Sequence, residues 1–498
     1  MSVLAILSVC LLVFYMIMIW LRNGGKKKPL PPGPSILGSL KFVWRMATNN
    51  GVHLNAEILS KKYGDIFYIR VFSREFVFLN SAHLIRKLLS SVKYRDFTND
   101  RPHTFFKKHI SHDGRDIILK DFNKSLVKLR QIVHRSIKLY GEGVKVFEIM
   151  VNTEIKNLKQ ELWNSTGEES FDLDNAITFS LTRVLYTFLT NEPATDTKDV
   201  CDTITTYDKL INELFSFGNN MIFTFLPWLR FLPGPISKIW RKTKHSQERL
   251  YNLFLNSSIK KRMKSHGKGL LGNILREADV DDQIDDGCTK GVLSNMVTAG
   301  FLSTKGALAG FFLLMLYYPE IQQRIQEEID DNIGKDREPS LDDRAAMHYT
   351  NATILECLRF IGHVPFGVPH LTREDVEVDG MRIPANSMLI TNLWMMNRSE
   401  KVWDKPGEFL PERFLDNEGT LLPKEHPLRL QFIPFGSGRR SCIGESFAKS
   451  RMFLYVTSLL QTFVLSPGKN KLAPLDPATW KLNVAMQPDF LNCIVRLR

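Results

Sequence analysis

Residues 435–444 constrain this chain more than any other stretch. They read Phe435-Gly436-Ser437-Gly438-Arg439-Arg440-Ser441-Cys442-Ile443-Gly444, a glycine-rich loop that delivers one cysteine to the start of a long helical pattern at about 444–462. A thiolate metal ligand must be deprotonated, shielded from solvent and surrounded by donors that moderate its charge. A glycine-rich turn such as the one through Gly436 supplies backbone N–H groups, and the positive end of the following helix adds to them. Cys442 stands where both are available. Phe435 can cover the sulfur, and Arg440 offers a forked donor for a carboxylate. The competing reading is a buried structural cysteine in a loop.

The bulk numbers leave room for a large enclosed site. The chain has 498 residues, no repeat, no low-complexity tract and no linker dividing its body, so residues 35–498 are expected to form one large domain. Six cysteines, at 10, 201, 288, 357, 442 and 493, stand far apart with no C-x-x-C pair and no secretory spacing. Reduced thiols and a cytosol-facing body follow. The 66 Lys and Arg outnumber the 53 Asp and Glu, leaving a net charge of +13. A surplus of this size suits nucleic acid, an anionic membrane or an acidic protein partner. The basic residues are scattered and no nucleic-acid motif occurs, so a membrane plus an acidic partner is expected, and no nucleic acid.

Residues 2–21 carry no charge and are almost wholly apolar. About 20 such residues suffice for a helix to cross a bilayer, and the basic start and small-residue cleavage site of a signal peptide are absent. Residues 1–22 are therefore expected to be a membrane anchor. Arg22, Lys26, Lys27 and Lys28 place the following chain on the cytosolic side. Within the basic, proline-rich linker at 23–34, Leu30-Pro31-Pro32-Gly33-Pro34 forms a stiff spacer.

The body reads as predominantly helical with a minor sheet. Short β-like runs occur at 66–71 and 76–79, with helical stretches such as 53–63 between and around them. Helical periodicity covers 123–139, 145–165, 171–190, 199–217, 235–265 and 286–316. Further helices follow at 320–332 and 341–361. Residues 366–393 turn β-like, a proline-rich aromatic coil spans Trp403 to Phe414, and the tail after the last helix is β-like again. A coil of that length before a glycine-rich loop points to function.

The spacing F-x-x-G-x-R-x-C-x-G resembles the signature of the cytochrome P-450 family, and the likeness extends along the whole chain. It implies a single large haem-thiolate fold, mainly α with a minor β-sheet, behind an N-terminal transmembrane helix. The implied cofactor is haem b (iron protoporphyrin IX), with Cys442 as the metal ligand and Arg440, Phe435 and Gly436 beside it. Proximal thiolate ligation of this kind favours O–O cleavage. Glu356 and Arg359 lie one helical turn apart, and with Arg413 of Pro411-Glu412-Arg413-Phe414 they match the family's buried ion network. His370 and Arg130 match its propionate donors, although Leu126 stands where the family's helix carries a tryptophan. Val364, Pro365, Phe366 and Val368 fall where the family lines its substrate pocket.

The helix over the haem departs from the family pattern A-G-x-[D/E]-T-[T/S]. It reads Ala299-Gly300-Phe301-Leu302-Ser303-Thr304. Ala299 and Gly300 keep the small pair, and Ser303 and Thr304 keep hydroxyls that can bond back to the preceding turn. Leu302 replaces the acid, and leucine relays no proton. Three readings stay open: a monooxygenase with another proton relay, an isomerase or dehydratase of peroxides, and a non-catalytic haem-binding membrane protein. The first implies an NADPH-dependent flavoprotein reductase, with cytochrome b5 as a second donor, docking on Arg439, Lys449 and Arg451. The apolar stretch Phe223–Pro233 is expected either to dip into the membrane near a substrate entrance or to be core. The resemblance is strongest to the microsomal branch with steroid 17-hydroxylase. It implies a lipophilic, steroid-like small-molecule substrate and a single-pass endoplasmic-reticulum location with the catalytic domain facing the cytosol.

Overall fold

Apolar periodicity decides most of the helices, and one helix organises the rest. The structure is a computed structural model that describes residues 28–48, 51–71, 74–137, 142–194, 196–266, 269–480, 482 and 484–498. The expected anchor at 1–22, with Arg22, Lys26 and Lys27, lies outside the described residues. Leu302–Tyr317 is apolar around its whole circumference, which a helix tolerates only under cover on every side. From Leu308 to Leu316 every one of its residues is buried. With the segment before it, this makes a distal helix of 32 residues, Asp286–Tyr317, long and apolar enough to span a membrane by length and composition, yet mostly enclosed by protein. Leu173–Thr190, His348–Ile361 and the last helix, Glu445–Thr462, pack around it.

The sheets are small and peripheral. The strands are β1 (Ile66–Val71), β2 (Arg74–Leu79), β3 (Phe171–Asp172), β4 (His370–Leu371), β5 (Val376–Val378), β6 (Met381–Ile383), β7 (Met388–Thr391), β8 (Phe463–Pro467) and β9 (Asn492–Leu497). One sheet has the order β1-β2-β7-β4 and a second the order β3-β9-β8, while β5 and β6 form a hairpin. Among the described residues only the β2–β7 pair is parallel; Phe76 faces Met388 and Leu79 faces Thr391 across it. That pairing joins chain segments three hundred residues apart and aims β4, with His370, at the interior.

Four expected helices divide or shorten, each for a local reason. The 235–265 pattern breaks at Asn256, whose side chain accepts from Ile259 N at 3.0 Å and starts a second helix, Ser257–His266. The 171–190 pattern loses its first two residues to β3, and Asp172 caps the remainder by accepting from Asn175 N. The 341–361 pattern opens with one 3₁₀ turn, Leu341–Ala345, behind a Ser340–Asp343 capping box, before the helix proper at His348. The 286–316 pattern is interrupted by a π-helical segment, Met296–Phe301. Such a bulge adds a residue to one turn and rotates the helix beyond it, which leaves no mark on a segment apolar all round, and bulges concentrate at functional sites.

The proline-rich spacer is docked on the sheets. Tyr68 N of β1 donates to Pro32 O and Arg382 N of β6 donates to Pro29 O, each at 2.8 Å, and Lys28 pairs with Glu377. Gly33 lies so close to β1 that a Cβ there would sit 1.9 Å from Tyr68 O. We therefore expect Gly33→Ala to push the spacer off the sheet at a cost of about 1–3 kcal/mol. A lower melting temperature by scanning calorimetry checks this, and an unchanged one contradicts the docking.

Candidate functional site

The cysteine loop is shaped by two left-handed glycines. Gly436 and Gly438 adopt φ of 76° and 75°, where L side chains are strained. A Cβ on Gly438 would also meet Leu89 O at 2.6 Å. The turn returns Cys442 to Phe435, with Cys442 N donating to Phe435 O at 2.8 Å. Arg130 reaches the same loop, donating from Nη2 to Ser441 O at 2.8 Å. Cys442 is open to a water-sized probe, yet burial pushes its thiol pKa up. The two agree only if the surface it shows lines an interior void. Glu445 also raises its pKa, while the Gly444 N–H, Arg130 and Lys449 favour the thiolate.

The distal helix shows the same kind of interior opening. Ala299 is exposed although the helix on either side of it is covered, and a Cβ built on Gly300 would meet nothing within 4 Å. Phe301 and Leu302 are buried at 1% and 2% exposure, so the side chain in the acid's place packs as core. Ser303 Oγ donates to Ala299 O at 2.5 Å, and Thr304 Oγ1 donates to Gly300 O at 3.3 Å.

Arg451, expected on a docking face, is instead buried at 2% exposure. Nine residues beyond Cys442 on the last helix, its Nη2 donates to Gly300 O at 2.8 Å and to Thr304 Oγ1 at 2.7 Å. It thereby ties the helix that the cysteine loop opens to the π-helical segment. Its Nε and Nη1 are buried without a hydrogen-bond partner, and burial brings its pKa down to about 10. Nearness in sequence to the cysteine loop groups this arginine with Lys449 and Arg439; packing against Phe447, 4.4 Å from the guanidinium, turns it inward.

Three arginines and a histidine converge beside the cysteine loop. Arg440 donates from Nε to Asn99 O at 2.9 Å and from Nη2 to Lys120 O at 2.5 Å, leaving Nη1 buried without a partner. Its pKa falls to about 10 through burial and then through Arg130. Arg101, at 4% exposure, spends its donors on Ile118 O, Val368 O and Pro369 O at 2.7–2.9 Å. His370 Nδ1 donates to Thr98 O at 3.0 Å. Burial, then Arg101 and Arg440, hold its pKa well below the usual value. A neutral His370 in this tautomer presents a lone pair at Nε2, so it becomes a second donor only when a nearby anion supports its protonation. Sequence reasoning found Arg130, His370 and Arg440 but missed Arg101, which no local motif marks. Leu126, four residues before Arg130, is wholly buried.

The wall near Val368 continues through the remaining expected positions. Pro365 is buried, Val364 and Phe366 are half-buried, and Val368 is 39% exposed. Pro365 O accepts from Trp394 N, and Phe366 bridges to Asn392, which fixes the turn against β7.

The comparisons with known proteins agree with this geometry. The family profile described as Cytochrome P450 matches residues 29–491. The chain belongs to the cytochrome P450 family. The vitamin D(3) 25-hydroxylase of Sus scrofa is 29% identical over 505 residues, covering 99% of each chain. The steroid 17-alpha-hydroxylase/17,20 lyase of Ictalurus punctatus is 28% identical over 488 residues, covering 94% of this chain and 91% of its own. A zebra fish cytochrome P450 solved with progesterone superposes with a TM-score of 0.75 at 25% identity, over 89% of this chain and 99% of its own. The chain is a haem-thiolate monooxygenase, and its residues fit the cofactor. The accessible Cys442 thiol suits the iron, and an orphaned arginine nitrogen in an under-neutralised cationic cluster suits the two carboxylates of haem b.

In this cytochrome P450 the expected ion network is fully formed. Arg359 donates from Nε and Nη2 to the two Glu356 oxygens at 2.7 Å each, with both side chains at 0% exposure. Arg413 Nε and Leu410 N add to Glu356 Oε1 at 3.2 and 2.9 Å. Removing one member of a buried pair leaves an uncompensated charge, at about 3–5 kcal/mol. Arg359→Ala is thus expected to lower the melting temperature sharply and to yield protein that no longer retains haem. Retention of haem with wild-type melting would contradict this role.

Proposed function

We propose that this enzyme inserts one oxygen atom from O2 into a lipophilic, steroid-like substrate, using electrons from NADPH through a flavoprotein reductase, with cytochrome b5 as a second donor. The observation that carries this reading is the void bordered by Cys442 and its cationic neighbours, tied through Arg451 to the opened segment Ala299–Gly300. Two relatives are named for hydroxylation of sterol-derived molecules, and one neighbour was solved with progesterone. Val364, Pro365, Phe366 and Val368 then form an apolar wall that binds substrate by burial.

In this reading Cys442 holds the iron, and Arg101, Arg130, His370 and Arg440 hold the propionates. The bound haem supplies oxygen activation. Phe435, with Lys449 stacked 5.0 Å from its ring, covers the cysteine loop. Ala299 and Gly300 leave space beside the distal helix. Ser303 and Thr304 keep their hydroxyls on the Ala299 and Gly300 carbonyls, where they orient water. Leu302 contributes no proton, so proton supply falls to those hydroxyls and to water.

The docking face for an acidic reductase keeps Arg439 and Lys449 and loses Arg451. The endoplasmic-reticulum membrane is the proposed location, with residues 1–22 as a single anchor, 23–34 as linker and 35–498 as the cytosolic catalytic domain. An exposed apolar surface supports membrane contact. Trp228, Phe231 and Leu232 are 53%, 73% and 49% exposed, and Ile36 and Leu37 of the neighbouring helix are 51% and 79% exposed. Phe223 alone of that stretch is core.

Two measurements test the reading. Cys442→Ala is expected to abolish the red-shifted Soret band of the reduced, CO-bound protein, and survival of that band removes Cys442 from the iron. Leu302→Glu is expected to raise the fraction of NADPH consumption that appears as product, a step of up to about tenfold for one added proton donor. An unchanged fraction means that Leu302 does not limit proton delivery.

A further inference from the structure

A second concave site lies away from the cysteine loop. It is a cleft of about 530 Å3 between the short helix Phe105–His109 and the stretch from Phe223 to Phe231. One wall is aromatic: Phe105 stacks on Phe223 at 4.9 Å between centroids and meets Trp240 at 5.2 Å. The lip carries the exposed Trp228 and Phe231. Into this apolar setting the fold brings Lys107, Lys108, His109 and Arg230, against the single lining carboxylate of Asp113.

The charges are unevenly satisfied. Lys107 is neutralised by Asp121, at 2.7 and 2.8 Å from its two oxygens. Arg230 is held by aromatic faces, with Phe231 at 4.5 Å, Phe105 at 5.0 Å and Trp240 at 5.8 Å from its guanidinium carbon. Its polar contact is an N–H donated to His109 Nε2 at 3.4 Å, which requires that ring nitrogen to be unprotonated. Lys244 approaches from behind, donating to His109 O at 3.4 Å and Gln247 Oε1 at 2.5 Å. Among the described residues, Lys108, Arg230 and Lys244 form no ion pair with a carboxylate. Burial lowers the His109 pKa, and Arg230, Lys108 and Lys244 lower it further. Like charges gathered this closely repel, and an anion placed among them converts the repulsion into binding energy.

We infer that this cleft binds the anionic head, carboxylate or phosphate, of an acyl-chain amphiphile, with Arg230 as the forked donor and the Phe105–Phe223 wall against its tail. A guanidinium already positioned by three rings loses little freedom when it grips an oxyanion. The inference stands apart from the oxygen-insertion reading: it needs neither the iron nor turnover. The head comes either from a free amphiphile or from a bilayer lipid, and the two are separable.

The test is equilibrium dialysis of labelled decanoate and decanol against the full-length holoenzyme in phosphatidylcholine nanodiscs, with empty nanodiscs subtracted. Decanoate is expected to bind at least about tenfold more tightly than decanol, the scale of one charge-assisted contact. Arg230→Gln is expected to erase that difference and Arg230→Lys to restore part of it, with melting curves showing both variants folded. Phe231→Ser should weaken both probes alike. The dialysis is repeated in nanodiscs containing phosphatidylserine. If phosphatidylserine displaces decanoate from the wild type, a bilayer lipid is the natural occupant; if it does not, the site takes a free amphiphile. Equal binding of decanoate and decanol, or a preference that survives Arg230→Gln in a folded protein, overturns the inference.

Discussion

The Glu356–Arg359 pair, shut off from solvent, governs how the cysteine loop is presented. A buried ion pair contributes little net stability, because desolvation offsets most of its attraction. Its value here lies in the donors left over. Arg359 Nη1 donates to Asn397 O at 2.7 Å and Pro406 O at 2.9 Å, and Nη2 donates to Glu408 O at 3.0 Å. Arg413 adds Asp404 O and Lys405 O. Asn397 O stands in the last turn of a short helix, Leu393–Arg398, and the other carbonyls belong to a coil without regular structure, where backbone acceptors have no ladder to satisfy them. The coil's rings then continue the chain of contacts: Trp403 meets Phe414 at 5.7 Å and Phe432 at 6.2 Å, three residues before Phe435. One ion pair therefore fixes a coil, and the coil fixes the loop.

Electrostatics divides the enzyme's interior into two unlike halves. On the loop side, Arg101, Arg130, His370 and Arg440 crowd together at the expense of their own solvation, as the lowered pKa values of Arg101, Arg130 and His370 record. Such crowding is tolerable only where an anionic group completes the set. A dianionic cofactor does so and also compensates the buried arginine nitrogen. In the proposed reading the loop side is a partly charged cradle whose last member is the haem, which couples stability to cofactor retention.

The readily legible parts of this chain were those in which chemistry sits within a few residues. The cysteine loop, the Glu356–Arg359 turn and the Arg413 motif each concentrate their constraint locally, and the helices with strong apolar periodicity were found to within a few residues. What escaped depended on distance or on direction. Arg101 joins the site only because β4 and the turn before it bring Val368 and Pro369 to its side chain. The π-helical segment Met296–Phe301 was invisible because the helix it rotates is apolar all round. Arg451 turns inward although it flanks the cysteine loop in sequence, because nearness along the chain does not report which way a side chain faces. The Phe223–Pro233 stretch reads equally as core or surface, and tertiary packing alone buries Phe223 while exposing Phe225, Leu226, Trp228 and Phe231–Pro233.

The distal helix poses the remaining physical question, which is how an opened helix stays open. A π-helical turn frees carbonyls that must find donors elsewhere. A threonine hydroxyl is the usual local donor, but Thr304 stands 3.3 Å from Gly300 O while Arg451 Nη2 stands at 2.8 Å. The shorter, charge-assisted contact is the stronger one, so the guanidinium, not the hydroxyl, holds the Gly300 carbonyl. Thr304 Oγ1 accepts from that same nitrogen, which leaves its proton directed toward Gly300 and its orientation fixed from behind. An acid at position 302 would bring a negative charge to this helix; the chain instead packs Leu302 as core and buries a cation one helix away. The Nε and Nη1 groups of that cation have no protein partner, and buried donors of this kind are satisfied by ordered water. The charge beside the opened segment is therefore the Arg451 guanidinium, one helix away, where the family pattern carries a carboxylate on the helix itself.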